Sequence, residues 1–255
     1  MSVFAELEAL NVLVVGANRG IGLGFVQKLL GEHRVKHLYA TYRLTPTPQL
    51  QNLADQQNDR LQLLSMDITD EVTIAQAITT IRQQVDRLHL VIYTVGFLHT
   101  DEIQPEKSLQ QIQPEVLLRY FQVNSIGAIL LAKHLLPLLK HGDRSVFASI
   151  SAKVGSIGDN QLGGWYGYRA SKAALNMLMH TAAIEYGRKA PKVILVMLHP
   201  GTTDTELSQP FQRNVPPEKL FPIERTVSQL LTVIDQLQPE DTGQFFNWDG
   251  SRLPW

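Results

Sequence analysis

The chain contains no cysteine among its 255 residues. That absence excludes disulfides, thiolate nucleophiles and cysteine-ligated zinc, and it permits a reducing compartment such as the cytosol. Neither sign of charge dominates: 23 Lys and Arg stand against 24 Asp and Glu, a formal net charge of -1. Without a cluster of Lys and Arg interleaved with aromatics, neither nucleic acid nor an anionic membrane is an expected partner, and a small molecule is. Long unbroken apolar runs are missing as well. The run from Ile126 to Leu139 is interrupted by Lys133 and His134, and the opening MSVFAELEAL carries Glu6 and Glu8 where a signal peptide would be basic. These features predict a cytoplasmic chain that spans no membrane. The eight histidines, His33, His37, His89, His99, His134, His141, His180 and His199, show no His-Glu-x-x-His or comparable spacing, which argues against a metal. With no repeat, low-complexity tract or long Pro/Gly linker, residues 1–255 read as a single domain.

What is present is apolar content, 44% of the chain, arranged in alternating short and long segments. Asn11 to Val15, Lys36 to Thr41, Leu61 to Ser65, Leu88 to Val95, Ser145 to Ile150 and Val193 to Leu198 read as buried strands. Amphipathic stretches fill the gaps: Ile21 to Leu30, Val72 to Val85, Val116 to Leu139 with a bend near Gly127, Tyr168 to Arg188 and Glu224 to Leu237. Strands alternating with helices predict an α/β fold, a doubly wound parallel sheet covered by helices on both faces. The least regular segment, 200–222, contains Pro200, Pro210, Pro216, Pro217 and Pro222, and is read as a lid over the site.

Directly after the first strand comes Gly16-Ala17-Asn18-Arg19-Gly20-Ile21-Gly22, opening the first helix. Glycines in this place let backbone amides approach a pyrophosphate at a helix N-terminus, whose orphan N–H groups and dipole favour negative charge. The Walker alternative is disfavoured, because no Lys-Ser or Lys-Thr follows Gly20. Another absence is instructive. The second strand ends in Thr41-Tyr42-Arg43, with no carboxylate to accept the 2'-hydroxyl of NAD. Arg19 and Arg43 suit a 2'-phosphate instead, so the predicted cofactor is NADP(H). Asp67, ending the third strand, is placed either to contact the adenine or to cap the following helix.

Tyr168 and Lys172 are four residues apart in YRASKAALN, on one face of a helix. A free phenol is a poor acid or base at neutral pH, and a lysine cation within about 4–6 Å favours the phenolate. The pair reads as a proton-transfer device.

Taken in order, the glycine turn, the interior Asn124, a serine-bearing strand end and YRASK make the chain resemble the short-chain dehydrogenase/reductase superfamily over nearly its whole length. VGSIGDN at 154–160, GGWYGYRASKAALN at 163–176 and the terminal WDGSRLPW resemble its C-factor and sniffer-like carbonyl reductase branch. The resemblance implies a Rossmann-type sheet of about seven strands, bound NADP(H), and hydride exchange between carbonyl and alcohol. It makes Tyr168 the general acid or base, Lys172 the group that lowers its pKa and holds the nicotinamide ribose, and Asn124 the anchor of a water behind Lys172. It places Gly16, Asn18, Arg19, Gly20, Ile21, Gly22, Arg43, Asp67, Ile68, Thr94, Gly96, Tyr168, Lys172, Pro200, Gly201, Thr203 and Thr205 against the cofactor. It also implies a homodimer or homotetramer built on the helices at Leu117 to Leu139 and Tyr168 to Arg188; the apolar surface of Ala174, Leu175, Leu178 and Met179 suits that contact and equally suits packing on the sheet.

Three positions depart from the family pattern. Val15 replaces a threonine, and Tyr93-Thr94-Val95-Gly96 replaces Asn-Asn-Ala-Gly. The third is the missing catalytic serine, whose place three residues before Gly155 is taken by Ala152. Ser151 is the preferred substitute, provided a twist at the strand end turns it toward the carbonyl, and Ser156 is a further candidate. The leading reading is an NADPH-dependent carbonyl reductase whose pocket is closed by Phe97, Leu98, Trp165, Leu207 and Phe211. An NADP(H)-binding signalling or redox-sensing protein with weak or no turnover is the alternative, and Ala152 is its support. His199 is read as a packed strand-end residue.

Overall fold

The apolar runs become β1 (Leu10–Val15), β2 (Val35–Tyr42), β3 (Leu61–Ser65), β4 (Leu90–Tyr93), β5 (Ser145–Ile150) and β6 (Val193–His199). The computed structural model describes Phe4, residues 7–57 and residues 59–255. The acidic opening read as unlike a signal peptide lies partly outside the described residues. Beyond the expected strands, β7 (Thr202–Thr203) and β8 (Leu220–Phe221) pair with each other, and β9 (Phe245–Asn247) joins the edge of the main sheet. That sheet has seven parallel strands in the order β3-β2-β1-β4-β5-β6-β9. At only three residues, β9 is too short for its own pattern to show, and it is defined by pairing with Met197–His199 of β6.

The crossovers are α1 (Gly20–Leu30), α2 (Pro48–Gln56), α3 (Glu71–Arg82), α4 (Pro114–Phe121), α5 (Gly127–Leu139), α6 (Tyr166–Lys189) and α7 (Ile223–Gln236). Side chains alternate across each strand, and so two cores form. On one face Leu13 and Val15 of β1 join Ile74 of α3, Leu131 of α5 and Leu175 of α6. On the other, Val12 and Val14 join Phe25 of α1, Leu50 of α2 and Val227 of α7. Each such fully buried side chain contributes on the order of 1.5–3 kcal/mol relative to leaving it in water. The sequence reading has no counterpart to α2, because only Leu50 and Ala54 of that helix are buried. Local chemistry starts it: the Thr47 hydroxyl accepts from the Leu50 amide and Pro48 takes the first helical position.

The expected bend near Gly127 is a π-helical turn at Gln122–Ile126, between α4 and α5. Such turns insert a residue into the helical ladder and re-aim side chains, here that of Asn124. By length and composition Pro114–Leu139 passes for a membrane span, yet 56% of its most apolar window is buried inside the fold, as a core helix requires. Of the two readings of the apolar stripe on α6, packing on the sheet holds for Leu175 and Met179, while Met177 and Ile184 face outward.

Candidate active site

Strand order reverses between β1 and β4, and the crevice at their C-terminal ends is where open parallel sheets bind ligands. The turn after β1 is fastened on three sides. The Gly16 amide donates to Thr41 Oγ1 at 3.1 Å, and Thr94 Oγ1 donates to the carbonyls of Val15 and Gly16 at 2.8 and 3.1 Å. Asn18 braces the loop that leads into α2: its Oδ1 accepts from the Thr47 amide at 2.6 Å and its Nδ2 donates to the Thr45 carbonyl at 3.0 Å. Gly16 has φ +85°, and a Cβ at Gly22 would stand 2.2 Å from the Gly16 carbonyl oxygen. The backbone therefore curls tightly into α1, with Ile21 against the core. The N-terminus of α1 has no side-chain cap and no acidic residue in its first turn, so its orphan amides stay open to an anion.

Around this turn the predicted cofactor residues collect in part. Arg43 is exposed beside Asp67 and contributes to holding that carboxyl below its usual value. Burial, the largest influence on Asp67, pushes the other way and is outweighed once the bonds from Thr69 and the charges of Arg43 and Arg119 are combined. The capping alternative for Asp67 resolves locally: its Oδ1 accepts from the amide and hydroxyl of Thr69 at 2.9 and 2.7 Å, whereas Asp70 caps α3. Ile68 is buried against Gly127. Arg19, the second cation expected for a 2'-phosphate, is engaged within the chain. Its guanidinium pairs with Glu206, and both side chains are exposed.

Farther along the crevice lie Tyr168 and Lys172. Lys172 is 3% exposed, its Nζ donates to the Ile150 carbonyl at 3.1 Å, and it stands 5.9 Å from the centre of the Tyr168 ring. A Cβ at Gly96 would be 3.6 Å from that Nζ. Burial lowers the Lys172 pKa to about 8, and burial raises that of Tyr168. In the chain by itself desolvation thus opposes the phenolate. Asn124 is fully buried and committed. Its Oδ1 accepts from the Phe97 amide at 2.6 Å, and its Nδ2 donates to the Phe97 carbonyl and to Ser171 Oγ, both at 2.9 Å. It ties the loop after β4 to α6.

The twist required for Ser151 is not formed. Its hydroxyl is buried and donates to Asn176 Oδ1 at 2.6 Å, two turns along α6 from Tyr168. Ala152 is extended and packs with the Tyr168 cluster. The alternation of an ordinary strand end thus sends the serine to α6 and the methyl to the pocket. Ser156 is buried too, and its Oγ accepts from the Asp159 amide at 3.1 Å. The expected wall does assemble: Phe97, Leu98, Trp165, Leu207 and Phe211 gather with Tyr120 around Tyr168. Trp165 and Phe211 meet edge to face at 4.8 Å, and His99 meets Phe211 at 5.5 Å.

The turn after β6 contributes Pro200 and Gly201, the latter under the rings of Phe221 and Trp248. Thr203 is buried and shares a 2.8 Å hydrogen bond with Thr226, and Thr205 approaches Gly20. His199 is, as expected, packed at a strand end, and burial lowers its pKa to about 4. Sequence reasoning missed Thr41 and Asn176, which act through long-range partners, and the left-handed backbone at Trp165, which the preceding Gly163-Gly164 signals.

This geometry has known counterparts. A model of the short chain dehydrogenase family matches residues 10–216, and the chain belongs to that family of oxidoreductases. It is 34% identical over 137 residues to the C-signal of Myxococcus xanthus, a match spanning 54% of this chain and 77% of that protein. The NADPH bound carbonyl reductase from chicken fatty liver superposes with a TM-score of 0.86 at 30% identity, over 98% of this chain and 100% of that one. The carbonyl reductase Sniffer of D. melanogaster gives 0.84 at 26% identity, over 97% and 100%.

Proposed function

We propose that the protein is an NADPH-dependent carbonyl reductase, interconverting a carbonyl and its alcohol, with residues 200–222 as its lid. The observation that carries this reading is the buried Tyr168–Lys172 pair, its phenol set in an apolar, aromatic cluster and its lysine linked to the glycine turn through the segment Thr94–Gly96. The turn suits a dinucleotide, because the close Gly16–Gly22 approach, which a single Cβ would break, curls the backbone tightly into α1, whose first amides are uncapped. Arg43 is the cation for a 2'-phosphate, and Arg19 joins it on leaving Glu206. Gly96, Pro200, Gly201, Thr203 and Thr205 frame the nicotinamide end. When bound, NADP(H) supplies or accepts the hydride. Tyr168 gives a proton to the carbonyl oxygen, or removes it from the alcohol. Lys172 holds the nicotinamide ribose and its charge favours the phenolate. Asn124 fixes the loop and helix between which these groups stand. The pocket wall favours hydrophobic ketones, aldehydes or quinones.

Ala152 supports a second reading, a protein that binds NADP(H) and signals or senses redox state with little turnover. One oxyanion-type donor is worth on the order of 10²–10³ in rate, so its absence is consequential. The proposed site of action is the cytoplasm. A homodimer or homotetramer would use the outward Met177 and Ile184 of α6 with Leu118 of α4. NADPH consumption against aldehydes, diketones, quinones and cyclic ketones, beside Tyr168→Phe, tests the reading. Turnover lost in the variant supports the reductase. Tight NADPH binding with no turnover on any of these favours the sensor.

A further inference from the structure

Residues 97–113, between β4 and α4, contain little regular structure, yet Glu106 within them is only 2% exposed. A carboxylate taken out of water needs partners. Glu106 finds them at the start of α6: its Oε2 accepts from the Gly167 amide at 3.1 Å, and its main-chain carbonyl accepts from the Trp165 amide at 2.5 Å. Among the described residues nothing donates to its Oε1. That helix has no side chain of its own as a cap and no acidic residue in its first turn. A residue 61 positions earlier therefore supplies both the acceptor for an orphan donor and the negative charge that a helix N-terminus favours.

The backbone held there is unusual. Gly163, Gly164 and Trp165 are consecutive left-handed residues with φ of 67°, 69° and 53°, and among the described residues Trp165 is the only non-glycine with positive φ. For a bulky side chain this is a strained state that persists only when its surroundings enforce it. The strain has a use. It aims the Trp165 indole into the aromatic wall, where its ring and that of Tyr168 meet edge to face with their centres 6.1 Å apart. The first turn of α6 is also pressed close: a Cβ at Gly167 would lie 2.4 Å from Tyr120 Cδ2 and 2.9 Å from Glu106 Oε1. Tyr120 itself meets Tyr168 at 6.3 Å.

We propose that Glu106 is a positioning residue, which fastens the N-terminus of α6 and so sets the left-handed Trp165 and the phenol of Tyr168. Its effect on chemistry rests on the reading of Tyr168 as the acid or base; its hold on the helix does not. The test compares wild type, Glu106→Leu, which removes the acceptor, and Glu106→Gln, which keeps one for the Gly167 amide. Amide hydrogen exchange over 163–168, NADPH affinity, kcat and KM are measured on each. In Glu106→Leu, exchange over 163–168 is expected to accelerate and kcat to fall about ten-fold or more, since small misplacements of reacting groups are costly. NADPH affinity should fall far less than kcat, because the proposed phosphate contacts, those of the glycine turn and Arg43, lie away from Glu106 although Tyr168 and Lys172 also face the cofactor. Glu106→Gln should recover most of both losses.

Wild-type exchange in Glu106→Leu overturns the proposal, and so does a parallel loss of kcat and NADPH affinity, which would mark general destabilisation. Where Glu106→Leu does not fold, the milder Glu106→Gln decides, made both in wild type and in a Trp165→Gly background, since glycine takes the left-handed conformation without strain. A smaller loss of thermal stability from Glu106→Gln in that background than in wild type supports the proposal, and an equal loss overturns it. Equal turnover by wild type and Tyr168→Phe would instead sink the reading of Tyr168, while the exchange measurement still decides the role of Glu106.

Discussion

Two helices begin at the C-terminal edge of the sheet beside the crevice, and the chain treats their N-termini in opposite ways. That of α1 is left open, with no side-chain cap and no acidic residue in its first turn. That of α6 is closed from within, by the buried carboxylate of Glu106. Both ends carry the same orphan amides and the same partial positive charge. An N-terminus kept free is available to a ligand phosphate. One neutralised by the chain is fixed in place, which is what a helix carrying Tyr168 and Lys172 needs. On the proposed function, the difference sets a phosphate-binding end apart from a proton-transfer end within one crevice.

The comparison breaks most completely at Gly22. A methyl there would meet the Gly16 carbonyl at 2.2 Å, so Gly22→Ala should abolish measurable NADPH binding in a titration and cost about 1–3 kcal/mol of stability. The α6 side responds differently. Ala152→Ser adds a hydroxyl within the Tyr168 cluster, and kcat/KM for simple ketones should rise by about ten-fold or more while NADPH affinity is unchanged. Arg43→Ala should weaken NADPH by about ten-fold, the worth of a charge-assisted contact, and leave NADH binding as it was. Equal losses for both nucleotides would remove Arg43 from the 2'-phosphate site.

The smallest expected effect is on stability against pH, read as Tm. Lys172 is held down from 10.5 to about 8 by burial, so between those values the unfolded chain binds the proton that the folded chain has released. Stability should therefore rise as pH climbs from about 8 toward 10.5. Above 10 the buried phenols of Tyr93 and Tyr168, held up by desolvation, reverse the trend, because only the unfolded chain gives up their protons. On the acid side, His89 and His199 are held from 6.5 down to about 4 by burial, and stability should be lost as pH falls through that window. His89 Nδ1 accepts from the Asn11 amide at 3.0 Å, a bond that protonation would break.

Periodic and local features were legible in the sequence. Leu61–Ser65 and Ser145–Ile150 form strands with the boundaries their apolar runs predict, and the glycine turn stands where its spacing puts it. The sheet also has the seven parallel strands that the family resemblance implies. Features that depend on distant partners were not legible. β9 exists through its pairing with β6, and the commitment of Ser151 to Asn176 follows from how α6 packs against the turn that follows β5. Glu106 sits in a loop whose sequence gives no sign that its side chain reaches α6. For Lys172 and Tyr168 the spacing located the pair, but their pKa values are governed by burial, which only packing reveals.

The most direct test of the central claim uses NADPH carrying deuterium at the nicotinamide 4-position, with a carbonyl from the panel and both wild type and Tyr168→Phe. Direct hydride transfer assisted by Tyr168 predicts deuterium on the carbinol carbon with wild type, and at least a hundred-fold slower labelling with a variant that still binds NADPH. Labelling at the same rate by both proteins, or product formed without the label, would contradict it.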